Sequence, residues 1–223
     1  NGMTTSYSWL NAGFLGGLTI GSAGAGQYGT SWTRDVAGYV YDKVGNRIGE
    51  TLTREVGEMT AQWWNQYDYT WEGGEYYEYS TLLKNQSATY DALGRLRTWT
   101  EAGTATSPAS SVANHYDAAG NVRRTQASWR TLDANGTASA APSSADYWFR
   151  YDAMNRVVTN KGTLENGVIV RGSSVYGAGQ GQDITYNVAG QRTSVTVTSS
   201  YYDSYVTYTS DSKELYFYDE AGR

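Results

Sequence analysis

The sequence predicts an all-β protein built from antiparallel hairpins, and three observations predict it. A short signature opening with Tyr-Asp recurs along the chain. Tyrosine (21), glycine (26) and tryptophan (8) are abundant among the 223 residues, whereas proline (2) is scarce. The stretches between signatures alternate apolar and polar residues with period two. Tyr, Trp, Thr and Val suit a pleated surface, and glycine supplies the turns between strands.

The signature is the strongest of these. Tyr41-Asp42-Lys43-Val44-Gly45-Asn46-Arg47 returns as Tyr90-Asp91-Ala92-Leu93-Gly94-Arg95-Leu96 and as Tyr116-Asp117-Ala118-Ala119-Gly120-Asn121-Val122. Tyr151-Asp152-Ala153-Met154-Asn155-Arg156-Val157 and Tyr186-Asn187-Val188-Ala189-Gly190-Gln191-Arg192 follow, and Tyr218-Asp219-Glu220-Ala221-Gly222-Arg223 is the sixth. Successive tyrosines stand 49, 26, 35, 35 and 32 residues apart. Asp with Gly three residues later is the signature of a type I turn, its carboxylate accepting from a backbone N–H two residues on. The glycine takes positive φ and a bulge leads into the returning strand. Asn155 in the glycine place and Asn187 in the aspartate place both keep this chemistry, since Asn tolerates the left-handed region and also closes such turns.

The remaining elements follow from pattern. Ile184-Thr185-Tyr186 and residues 193–198 read as strands flanking the fifth turn, with 205–209 and 214–218 as the next two. Asn166-Gly167 is a hairpin signal before a short strand, Val168-Ile169-Val170. Residues 102–113 and 133–145 read as surface loops or hairpin tips. Residues 50–64 are ambiguous: Leu52, Val56, Met59 and Trp63 have helical spacing, while Thr51, Thr53 and Thr60 favour a strand. Two regions are expected: a glycine-rich segment 1–37, uncharged over residues 1–33 and read as strands of the same sheet, and a repeat sheet over 38–223.

The six signatures resemble the YD repeat of the Rhs family, which includes Rhs polymorphic toxins, the B and C subunits of insecticidal Tc toxins, wall-associated proteins and animal teneurins. The resemblance covers residues 38–223. It implies an antiparallel sheet that spirals into a hollow shell, non-catalytic in itself, in a secreted or cell-surface protein. It implies further YD repeats and a C-terminal effector domain of the parent chain as partners. The start at Asn1 and the end inside a sixth copy are expected of a piece of something longer. The spacings are longer and less regular than the family's own. The Asp-Pro-rich motif at which toxin members cut themselves is missing, since neither Pro108 nor Pro142 follows an aspartate, so self-cleavage is not carried over.

Composition excludes several chemistries. The chain is long enough to bury a core. With no cysteine and one histidine, His115, thiolate and multi-histidine metal sites are ruled out. His115 reads as an ordinary strand residue. A net charge of −5 without a basic stripe argues against nucleic acid. The apolar run 13–21 is too short and glycine-rich for a membrane span. No cofactor is expected, and stacking of the repeat aspartates around calcium is disfavoured because they are needed as turn caps.

One segment invites a binding role. Residues 63–79 read as a hairpin about Gly73-Gly74, with Trp71 opposite Tyr76 and Glu72 opposite Glu75. Tyr67, Tyr69, Trp71 and Tyr76 would share one face. Such a platform fits stacking on sugars, with Glu72 and Glu75 accepting hydroxyls; the alternative is a cross-strand aromatic ladder that holds the sheet. A carbohydrate-binding module is therefore the alternative function, and a glycoside hydrolase using paired carboxylates a remote one.

Overall fold

The computed structural model describes residues 3–26, 29–59, 61–104, 107–171, 181–203 and 206–219. Among them the regular elements are sixteen strands, with no helix. No helix of the described residues is long and apolar enough to cross a membrane. The chain divides into two units: residues 1–111 with 129–142, and residues 112–128 with 143–223.

The first unit holds β1 (Met3–Trp9), β2 (Leu15–Gly26), β3 (Gly29–Tyr41), β4 (Arg47–Met59), β5 (Gln62–Asn65), β6 (Thr70–Gly73), β7 (Tyr76–Tyr90) and β8 (Leu96–Glu101). Its sheet runs β1-β2-β3-β4-β7-β8, each neighbour antiparallel, with β5 and β6 forming a separate ribbon. The segment of ambiguous period over 50–64 is strand, not helix: Arg47–Met59 pairs with β3 on one side and β7 on the other. Ladder hydrogen bonds on both sides override its helical spacing. Opposite charges fall directly opposite one another on β3 and β4. Arg54 donates to Asp35 twice, at 2.8 Å each, and Arg34 pairs with Glu55. The 37/38 boundary falls within β3.

The second unit holds most of β9 (Ser110–Tyr116) and β10 (Val122–Trp129), then β11 (Ser143–Tyr151), β12 (Val157–Glu165), β13 (Val168–Val170), β14 (Gln182–Tyr186), β15 (Arg192–Asp203) and β16 (Val206–Leu215). The order is β9-β10-β11-β12-β14-β15-β16, with β13 folded back on β12. Asn166 and Gly167 make that last turn, both with positive φ (50° and 79°), as a two-residue hairpin requires. The two strands expected over 205–209 and 214–218 are instead a single strand ending at Leu215, since β15 offers one unbroken partner from Ser194 to Asp203. Tyr205 lies outside the described residues.

Among the described residues few apolar side chains are buried. The buried apolar side chains are Ala37, Ile169 and Val195. Backbone ladders, cross-strand pairs and turns carry the structure, and large apolar side chains such as Leu93, Met154 and Phe217 stay in contact with solvent.

Candidate functional site

Two features stand out: the repeat turns and the aromatic ribbon. In the first turn the Gly45 N–H donates to Asp42 C=O (3.2 Å) and the Asp42 N–H to Asn46 C=O (2.9 Å). Asp42 Oδ1 accepts from the N–H of Val44 (3.0 Å) and of Asn46 (2.9 Å). Gly45 sits at φ 93°, and Gly94, Gly120, Asn155 and Gly190 take φ of 74°, 91°, 58° and 85° in their turns. Each turn ends in a register shift at its tyrosine where the pairing is described, as at Tyr41 opposite Arg47 and Tyr186 opposite Arg192.

The residue after the glycine completes the turn with its side chain. Asn46 Nδ2 donates to Asp42 Oδ2 at 2.8 Å, and Asn121 does the same to Asp117 at 3.1 Å. Arg95 and Arg156 each donate Nε to their aspartate at 2.7 Å. Where Asn187 replaces the aspartate, the partner is Gln191: Asn187 Nδ2 donates to Gln191 Oε1 at 2.7 Å. The exchange is matched, because an arginine has no acceptor for an amide donor.

These bonds lower the aspartate pKa values. Asp42 is held below the ordinary carboxylate range by the Asn46 side chain, with backbone N–H groups adding to it. The Arg95 side chain does the same to Asp91. At Asp152 the Arg156 backbone N–H leads, followed by its guanidinium. At Asp117 desolvation pushes upward, but the Asn121 backbone and side chain outweigh it.

The tyrosines do something the sequence alone does not show. Four of the phenols reach back to the preceding copy and donate to the first carbonyl of its returning strand. Tyr90 donates to Arg47 C=O (3.1 Å), Tyr151 to Val122 (2.9 Å), Tyr186 to Val157 (2.9 Å) and Tyr218 to Arg192 (2.8 Å). In every case the acceptor lies six residues after the earlier tyrosine. The Arg156 guanidinium adds a second link, standing 4.5 Å over the Tyr186 ring. This explains why the signature uses Tyr rather than Phe: the ring ends the strand and the hydroxyl fixes it to its neighbour.

A further turn of this kind opens the chain. The Gly13 N–H donates to Leu10 C=O (2.9 Å) and the Leu10 N–H to Phe14 C=O (2.8 Å), with Gly13 at φ 81°. Phe14 takes the place of the closing Asn or Arg and stacks on Tyr41, 4.9 Å between centroids. Trp9, the glycine four residues on and Phe14 were the available signal; the missing aspartate hid it. Asp133–Gly136 forms another such turn, with Asp133 Oδ1 accepting from Asn135 (2.9 Å) and Thr137 (2.8 Å). Asp219 is among the described residues, whereas Gly222 lies outside them.

The aromatic ribbon is folded differently from the expected hairpin. Its turn is not Gly73-Gly74 but residues 66–69, with Trp64 opposite Trp71 and Trp63 opposite Glu72. Tyr76 pairs with Met59 on β4, so it is not opposite Trp71, and Glu75 is not opposite Glu72. The reason is local. Asn65 Oδ1 accepts the Tyr67 N–H (2.9 Å), and Tyr69 takes positive φ (55°), closing the earlier turn. Gly73 and Gly74, both at positive φ, turn the exit toward β7 instead. The common face expected for Tyr67, Tyr69, Trp71 and Tyr76 is therefore not formed as a whole: Tyr76 belongs to β7 and Tyr67 to the turn, while Tyr69 stands with Trp64 and Trp71.

The ribbon has two dissimilar faces. On one, Trp64 meets Trp71 edge-on (5.6 Å, 64°) and Tyr69 stands 6.5 Å away at 70°. On the other, Glu72 accepts from Trp63 Nε1 (3.1 Å) and Asn65 Nδ2 (2.6 Å), and Asn65 also donates to Asp68 (3.1 Å). Glu75 accepts the Tyr77 phenol, which pushes that phenol's pKa up. Beside the ribbon, Trp32 donates through Nε1 to the Tyr76 hydroxyl across Gly57, where a Cβ would overlap both. Trp32, Arg34, Glu55 and Glu78 line a concavity of about 240 Å³ there. His115 faces Gln126 at 3.2 Å on the strands of the second unit. No family model matches the chain, and no curated protein matches it.

Proposed function

We propose that the chain is a non-catalytic wall segment of the YD-repeat kind, part of a secreted or cell-surface protein, which encloses or displays a domain encoded elsewhere in the parent. The observation that carries this reading is the phenol link. A tyrosine bonded to the turn before it, as in four of the six copies, makes one copy the template for the next, which is how a sheet extends by repetition. The open faces support it too. A sheet that leaves the strand residues Val40, Leu82 and Leu164 in solvent is suited to covering something else. The aspartate oxygens at the turns are engaged by backbone and side-chain donors, which suits them to structure rather than chemistry.

The test is protease protection in the full-length parent. The polypeptide downstream of this segment should survive limited digestion when the wall is intact and be cleaved when Tyr151 and Tyr186 are both changed to Phe under mildly destabilising conditions. Equal digestion of the downstream polypeptide with and without the segment would overturn the proposal.

A further inference from the structure

Charge is concentrated in one place. The stretch from Glu55 to Leu83 carries six carboxylates, Glu55, Glu58, Asp68, Glu72, Glu75 and Glu78, with eight aromatic residues and no Lys, Arg or His. The chain has 22 acidic and 17 basic residues, so removing these six leaves 16 against 17, and the remainder has a net charge of +1. Glu55 is paired with Arg34, and the other five carboxylates lie on and beside the aromatic ribbon.

The ribbon's rings are unusually bare. Tyr69 and Trp71 are 77% and 67% exposed, and with Trp64 they form a notch whose walls meet at 64° and 70°. Elsewhere the chain supplies its rings with guanidinium groups: Arg34 stands 5.0 Å over Trp32, Arg124 4.7 Å over Trp148, and Arg156 4.5 Å over Tyr186. Among the described residues no Lys or Arg stands over Trp64, Tyr69 or Trp71. The notch has the ring faces of a cation–π site and lacks the cation.

We propose that the ribbon is a docking site for an arginine-rich polypeptide segment, one guanidinium entering the Trp64–Tyr69–Trp71 notch. Arginine fits better than lysine, because its planar, weakly hydrated head stacks on indole faces. Glu72 alternates with Trp71 and so lies on the opposite face, but the ribbon is one strand thick. Its charge acts within a Debye length of about 8 Å at physiological salt. An uncharged saccharide could use the rings and donate hydroxyls to the carboxylates but would gain no ionic attraction, and an anionic ligand would be repelled. This surface is independent of the wall proposal and can fail without it.

The experiment measures binding of nona-arginine, nona-lysine and cellohexaose to the 223-residue chain at near-physiological salt. Nona-arginine should bind about tenfold more tightly than nona-lysine. Trp71→Ala, which leaves net charge unchanged, should abolish that preference, and so should Tyr69→Ala. Asp68→Asn with Glu72→Gln should weaken both peptides. Far-ultraviolet circular dichroism checks the sheet, and Tyr69→Ala in the turn serves if Trp71→Ala disturbs it. Equal binding of the two peptides to the parent, or unchanged arginine preference in both aromatic variants, would reduce the site to unspecific attraction and overturn the proposal. Binding of cellohexaose in place of nona-arginine would overturn it in favour of a sugar.

Discussion

Changing Tyr186 to Phe removes one oxygen and leaves the ring, so it isolates the phenol link between copies. In the parent that oxygen donates to Val157 C=O at 2.9 Å, and the Arg156 guanidinium covers the ring at 4.5 Å. The stacking survives the substitution; the hydrogen bond does not, and the Val157 carbonyl loses its phenol donor. A net hydrogen bond of this type is worth about 0.5–1.5 kcal/mol. In a chain of this size that corresponds to a fall in melting temperature of roughly 2–4 °C per kcal/mol. Urea denaturation followed by tryptophan fluorescence reads the change as a shift in midpoint at constant slope. Tyr151→Phe, which removes a 2.9 Å bond to Val122 C=O, should lose a similar amount. Tyr67→Phe, in the exposed ribbon turn, should lose nothing. If Tyr186→Phe and Tyr151→Phe both unfold at the parental midpoint, the phenol does not join the copies and the reasoning is wrong.

Three further outcomes are expected. A Cβ at Gly94 meets only Asn46 Oδ1 at 3.8 Å, so Gly94→Val isolates the strain of φ 74° at a β-branched residue. It should cost about 1–3 kcal/mol, whereas Gly94→Asn should be milder because Asn155 already occupies the equivalent place at φ 58°. With the folded pKa values of Asp42, Asp91, Asp117 and Asp152 below their unfolded values, the folded state favours the charged carboxylates. That stability is complete above about pH 4–5 and is lost as pH falls through the folded values, which thermal melts between pH 6 and 2 should show. Melts insensitive to pH over that range would refute the turn electrostatics. Burial, then the Asp117 charge, raises the Tyr151 phenol pKa. Its contribution is therefore present below about pH 10 and declines as pH rises through the folded value, a dependence Tyr151→Phe should remove.

The turns were legible because their chemistry is local: Asp42, Gly45 and Asn46 lie within five residues and contact one another. The strands were legible for the same reason, as alternation and turn residues agree. The phenol links were not, since Tyr90 and its acceptor Arg47 are 43 residues apart and only pairing of the intervening strands brings them together. The ribbon register is not legible in the sequence, because Gly73-Gly74 is a strong turn signal in isolation. The competing Asn65–Tyr67 bond and a positive φ at Tyr69, an unfavourable position for an aromatic residue, are not visible in composition. The Trp32–Tyr76 contact across Gly57 was equally hidden, because it depends on β4 lying between β3 and β7.

The direction of the phenol links bears on how such a chain acquires its structure. Every acceptor carbonyl belongs to a copy nearer the N-terminus than the tyrosine that uses it. On the ribosome, a newly emerged copy that carries such a link therefore meets an acceptor already synthesised. Each bend closes over a handful of residues, so its nucleation carries little loop-closure entropy. Growth by accretion at the C-terminal side follows, with the earliest copies serving as the seed on which later ones condense.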